Sequence, residues 1–147
     1  MNEASDAAVG EWTTTAPCVF DRALLAGCAQ CELAQRQTLG ERERVACPSP
    51  TARTNCVTLN ALLRERATFA LRLPPPGTPL AHARAMQLQC GGLGGLRNVL
   101  AAPVADVHRM VAMAHAGDHS LLDLAWDRIV RDIVSWQPRR RSPPARP

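Results

Sequence analysis

A dense group of cysteines in the first half of the chain constrains its fold more than any other sequence feature. Five of the six cysteines lie close together, at Cys18, Cys28, Cys31, Cys47 and Cys56. This density is greater than core filling alone would require. Thiols also bind metals and form redox pairs, so a chemical role is the better explanation. If four of these thiols ligate one centre, the segments that carry them have to fold back on one another.

Composition and hydrophobic spacing predict an all-α fold. Hydrophobic residues make up 46% of the chain, aromatic residues only 3%, and Ala and Leu dominate the apolar set. Ala and Leu favour helices, whereas strands prefer β-branched and aromatic side chains. The first predicted helix carries its apolar face at three- and four-residue spacing, which puts Cys28 and Cys31 on the same side. The residues of that face are Phe20, Leu24, Leu25, Cys28, Cys31 and Ala34.

The chain divides into five predicted segments. Residues 1–17 are a flexible leader, 18–73 a Cys-rich helical half, 74–79 a Pro-rich connection, 80–137 a second helical half, and 138–147 a disordered basic tail. In the Cys-rich half, the polar run over 40–54 predicts an irregular loop between two helices. Thr54 or Asn55 is the expected N-cap of the second helix.

The second half is predicted to consist of helices joined by short turns. Thr78 and Pro79 predict a helix that runs to about residue 89. The glycines within 90–95 predict a C-cap and a tight turn. A phosphate-binding loop is not predicted there, because its sequence motif is absent. Residues 106–116 and 120–136 are predicted to form a C-terminal helical hairpin, with Ser120 and Asp123 as a capping box.

The cysteine spacing favours an iron–sulfur cluster. A zinc site of four cysteines usually takes two close pairs, whereas a [4Fe–4S] cluster accepts one close pair and two more distant thiolates. Only Cys28 and Cys31 form a close pair. The favoured quartet is therefore Cys28, Cys31 and Cys47 with either Cys18 or Cys56. Cys56 is expected in the first turn of its helix, where the helix dipole favours a thiolate. Structural zinc and metal-free thiols remain the alternatives.

The remaining titratable residues predict no catalytic centre. Cys90 is expected to be a small buried residue before the glycine turn, with a remote ligand role as the alternative. The histidines all lie in the second half, away from the clustered cysteines, and are expected to be surface or capping residues. They are His82, His108, His115 and His119. The sequence therefore predicts that the protein is not an enzyme.

The charge of the chain and the composition of its predicted leader limit the expected partners and cellular compartment. The net charge is +4, and four of the arginines lie in the tail, so the rest of the chain is close to neutral and nucleic acid is not an expected partner. Residues 1–17 lack the features of a secretory signal, and no apolar run is long enough for a membrane helix. A cytoplasmic location is therefore predicted, with no membrane partner.

These observations predict a small cytoplasmic iron–sulfur protein. Such a protein acts in electron transfer, in redox sensing or as an accessory factor of a metalloenzyme, and its expected partner is a redox protein or a metalloenzyme. The alternative is a zinc-stabilised module that binds a protein or a nucleic acid through its basic tail.

Overall fold

The chain folds as a mixture of helices and a small sheet. The structure, a computed structural model, describes residues 16–138, so most of the predicted leader and of the predicted basic tail lies outside the described residues. Helices account for 55% of the structure, and 11% is a three-stranded antiparallel sheet. The predicted all-α fold class is therefore wrong, although the fold is mostly helical.

The sheet forms in the first half, where the sequence predicts a helix and a loop. Its strands are β1 (Ala16–Pro17), β2 (Gln35–Leu39) and β3 (Arg42–Cys47), and β3 lies in the centre. Leu39 pairs with Arg42, so only Gly40 and Glu41 connect β2 to β3. Gly40 has a φ of +63°, which a two-residue hairpin turn requires and which glycine adopts at little cost. Ala16 and Pro17, assigned above to the leader, pair with β3.

The first predicted helix is much shorter than its spacing suggests. Helix α1 covers only Asp21–Leu25 and is followed by Gly27 with a φ of +79°. Cys28 and Cys31 consequently lie beyond α1, in the connection to β2, and share no helix face. Leu25 is 40% exposed, which breaks the proposed apolar face.

The second helix begins earlier than predicted. Helix α2 covers Pro50–Leu71, and the Ser49 side chain caps it by accepting a hydrogen bond from the Ala52 N–H. Pro50 occupies the first helical turn, where proline is well tolerated. The prediction of Thr54 or Asn55 as N-cap is wrong, because Ser49 and Pro50 already supply the start signal. Helix α2 ends before the Pro-rich connection.

The glycine-rich segment is helical and does not form the predicted turn. Helix α3 (His82–Met86) starts later than expected and passes through a π-helical turn (Gln87–Gly91) into α4 (Gly92–Leu100). Three of the four glycines in this segment lie where other helices approach closely. A Cβ atom on Gly91 would lie 2.9 Å from the Cα of Ile133, and one on Gly92 would lie 2.7 Å from a Leu63 methyl group.

The last helices do not form the predicted hairpin. Helix α5 (Val107–Ala114) is followed by a 3-10 turn (Leu121–Asp123) and α6 (Trp126–Ser135). The capping box of Ser120 and Asp123 is confirmed, but it caps the 3-10 turn. Helix α6 packs on α4, α2 and the π-helical turn, because its buried Ile129 and Ile133 face those elements.

One core joins both halves of the described chain. Phe20, which directly precedes α1, and leucines of α2 and α4 are fully buried in it. No helix within residues 16–138 is both long and apolar enough to cross a membrane. The largest fully buried side chains are Phe20, Leu59, Leu63, Leu93, Leu96, Val107, Met110, Ile129 and Ile133.

We expect Gly91→Ala to destabilise the fold and Gly94→Ala to leave it intact. The new methyl group at Gly91 would meet backbone and Cβ atoms of α6 and of Trp136, which have little freedom to move, so the loss should be about 1–3 kcal/mol. A Cβ at Gly94 meets no atom within 4 Å, so this variant should keep the stability or gain up to about 1 kcal/mol from helix propensity.

Urea unfolding followed by circular dichroism measures both free energies. Equal stability of the two variants would show that the contact between the π-helical turn and α6 adapts to an added methyl group and does not require glycine.

Candidate metal centre

Four of the six cysteines converge on one cavity. Cys18, Cys31, Cys47 and Cys56 are free thiols, and all four line a cavity of about 340 Å³. Cys28, which the sequence analysis places in the quartet, is disulfide-bonded to Cys90 and does not line this cavity. The structure therefore brings both Cys18 and Cys56 to the site, where the sequence left a choice between them.

The sheet positions two of these thiols. Cys47 is the last residue of β3, and its backbone pairs with Ala16 of β1. Cys18 follows β1 directly, and its N–H donates a hydrogen bond of 2.9 Å to the Val45 carbonyl. Because β1 and β3 are neighbours, Cys18 and Cys47 both reach the cavity. The Cys47 thiol donates to the Ser49 carbonyl at 3.4 Å.

A helix and a loop bring the other two thiols. Cys56 lies beyond the first turn of α2, so the expected position at the helix start is wrong. Cys31 lies between α1 and β2, next to Gln30. The backbone of Gln30 is fixed on both sides, since its N–H donates to Ala105 and its carbonyl accepts from Val107.

Helix α5 also lines the cavity. The lining residues recur at the spacing of one helix face and are Val107, His108, Val111 and Ala112, with His115 directly after the helix. The sequence predicts surface or capping roles for these histidines, but this recurrence is a signal that could have grouped them.

An ion pair joins α5 to the segment that carries Cys31. His108 Nδ1 lies 2.8 Å from a carboxylate oxygen of Glu32, and Arg109 Nε lies 3.5 Å from the other oxygen. The hydrogen bond with His108, supported by the charge of Arg109, lowers the pKa of Glu32. Glu32 is therefore held next to α5 as a carboxylate, one residue after Cys31.

Burial keeps two of the thiols protonated. Burial raises the pKa of Cys18 from its ordinary value of 9.0 to about 11. Burial also raises the pKa of Cys56 from 9.0 to about 12, and negative charge on the other three thiols raises it further. The expected stabilisation of a Cys56 thiolate by the helix start does not apply, because Cys56 lies beyond the first turn, and burial and the neighbouring thiols favour the protonated form. Metal binding at this site has to displace protons.

The lining chemistry suits soft metals. No Asp or Glu is among the described residues that line the cavity, and Arg53 is its one permanently charged member. Thiolates select zinc, copper(I) and iron–sulfur clusters, whereas magnesium and calcium require oxygen ligands. Within residues 16–138, no three His, Cys, Asp or Glu side chains are arranged to hold a metal ion. Ligation of any metal by these thiols would therefore require their side chains to rearrange.

We expect the raised thiol pKa values to make the metal-free protein less stable in alkali. A group whose pKa is higher in the folded protein holds its proton there after the unfolded chain has released it. Its contribution to stability is complete below pH 9.0 and is lost as the pH rises toward 11 for Cys18 and 12 for Cys56. Urea unfolding at several values between about pH 8 and about pH 10 measures this decline.

The double variant C18S/C56S is the matched control, because serine does not titrate in this range. Its free energy of unfolding should fall less steeply with pH than that of the parent protein. Identical slopes would contradict the assigned burial of the two thiols.

Comparison with protein-family models, with curated proteins and with solved structures finds no match for this chain.

Proposed function

We propose that Cys18, Cys31, Cys47 and Cys56 ligate an iron–sulfur cluster of the [4Fe–4S] type. The observation that carries the proposal is the convergence of four free thiols, from four separate segments, on one cavity. Four cysteine thiolates are the ligand set of such a cluster. The proposal replaces the predicted quartet, because Cys28 is bonded to Cys90.

The arrangement of the thiols supports a cluster more than a single zinc ion. In a cube, each thiolate binds a different iron atom, so the ligands lie around a body that occupies space between them. The cavity of about 340 Å³ supplies such a space. A zinc ion instead draws four ligands to about 2.3 Å from one point, which leaves no such space between them.

The site supports electron transfer, redox sensing or an accessory role in metalloenzyme assembly. High pKa values keep Cys18 and Cys56 protonated at neutral pH, and a protonated thiol is a poor nucleophile. Cysteine-based catalysis at these two positions is therefore disfavoured, whereas ligation remains available once metal displaces the protons. The partner we propose is a redox protein or a metalloenzyme.

We propose a reducing compartment, the cytoplasm, as the place of action, because free thiols and their clusters persist there. A disulfide is uncommon in that compartment. Burial of Cys90, which is 3% exposed, limits the access of soluble reductants to one of the two sulfurs of the Cys28–Cys90 bond.

Anaerobic reconstitution with ferrous iron and sulfide tests the proposal. The loaded protein should be brown, absorb near about 400 nm and contain about four iron and four sulfide per chain. Serine replacement of Cys18, Cys31, Cys47 or Cys56, one at a time, should abolish or strongly reduce this content, because each replacement removes one ligand.

The double variant C28A/C90A is the matched control and should retain iron and sulfide at the parent stoichiometry. A colourless protein with one zinc would support the zinc-stabilised module instead. If each of the four serine variants bound iron and sulfide like the parent, the iron–sulfur proposal would be abandoned.

A further inference from the structure

The π-helical turn between α3 and α4 reaches both ends of α1. A π turn inserts one residue into a helix, and such turns are frequent at functional sites. In the turn Gln87–Gly91, the consecutive residues Gln89 and Cys90 both contact the segment that runs from Cys18 to Cys31. Helix α1 has five residues, too few to be stable alone, so its ends need external support.

Gln89 holds the N-terminal side of α1. Its side chain is 7% exposed, and both ends of its amide are hydrogen-bonded to backbone. The Ala23 N–H donates to Oε1 at 3.1 Å, and Nε2 donates to the Val19 carbonyl at 3.3 Å. Val19 directly follows Cys18, whose own N–H is bonded to Val45. The backbone next to the Cys18 thiol is thereby fixed to the helical half.

Cys90 holds the C-terminal side of α1. Its disulfide with Cys28 spans 62 positions in sequence, with the Cα atoms 5.5 Å apart. The Cys28 N–H also donates to the Ala23 carbonyl at 2.9 Å, which closes the turn after α1. Cys31 follows three residues later, and the Gln30 backbone pairing orients that stretch against α5. The disulfide thus fixes the start of the segment that delivers Cys31.

We infer that Gln89 and Cys90 are positioning residues of the four-thiol site. Gln89 sets the position of Cys18, and Cys90, through Cys28, sets the position of Cys31. The inference rests on the proposed function, since it assigns a role in that same site. Neither residue lines the cavity, so each acts on the site through the backbone of another segment.

Labelling of the full-length, metal-free protein tests the inference at individual cysteines. N-ethylmaleimide is added at about pH 8 without a reductant, so that the disulfide stays intact and the free thiols react at measurable rates. Peptide mass spectrometry then gives a labelling rate for Cys18, Cys31, Cys47 and Cys56 separately.

The two substitutions should act on different cysteines. Q89L leaves the Ala23 N–H and the Val19 carbonyl without partners, so Cys18 should label about fivefold faster while the other three thiols stay within about twofold of the parent. C28A/C90A should accelerate Cys31 by a similar factor and leave Cys18 unchanged. Each variant is therefore the control for the other.

The labelling rates of the four thiols distinguish a positioning role from a general loss of structure. Equal acceleration of all four thiols in either variant, or no acceleration at all, would overturn the inference. If Q89L does not fold, as judged by circular dichroism, Q89N takes its place, because its side chain keeps a neutral amide but is one methylene too short to bond both Ala23 and Val19. Q89N should then accelerate Cys18 alone, and any other pattern overturns the inference.

Labelling needs no cluster, so its outcome is independent of the reconstitution experiment. A selective labelling pattern in a protein that binds no iron would refute the proposed cluster and leave the positioning roles in place. Full iron content with equal labelling of all four thiols would support the proposed cluster and refute the positioning roles.

Discussion

The close contact of α4 and the π-helical turn with α6 and α2 is the constraint on which the rest of the structure depends. Gly91 and Gly95 lie so near α6 that a Cβ atom would approach its backbone to 2.9 and 3.2 Å, and Gly92 admits Leu63 of α2. This packing fixes the π-helical turn within the core. Gln89 and Cys90 then project from a rigid position, from which they hold both ends of α1. The thiol cavity depends indirectly on glycines that lie outside it.

The cavity itself is assembled from parts that are distant in sequence. The sheet region provides Cys18 and Cys47, α2 provides Cys56, and α5 contributes further lining residues. The Glu32–His108 contact and the Gln30 backbone pairing connect the Cys31 segment to α5. Burial in this arrangement keeps the thiols of Cys18 and Cys56 neutral at ordinary pH. A fold that places protonated thiols together avoids the mutual repulsion of thiolates until a metal can compensate their charge.

The sequence predicted the helical second half better than the first half, for physical reasons. The Ser120–Asp123 box and the short polar break after α5 are local signals, and local signals survive in the structure. The sheet was missed because β2 and β3 contain few β-branched or aromatic residues and depend on pairing with each other. The glycines over 90–95 were assigned to a turn, although tertiary packing explains them. The Cys28–Cys90 pair joins residues 62 positions apart, and no local sequence pattern predicts it.

That pairing also explains why six cysteines are compatible with a site for four thiolates. Cys28 lies three residues before Cys31, so as a free thiol it would be a further candidate ligand. Its bond to Cys90 directs it to the π-helical turn and away from the cavity that Cys31 lines. The set of free thiols is then defined by this bond, not by sequence proximity within the C-x-x-C pair. In this protein, the close pair contributes one cavity-lining thiol and one structural anchor.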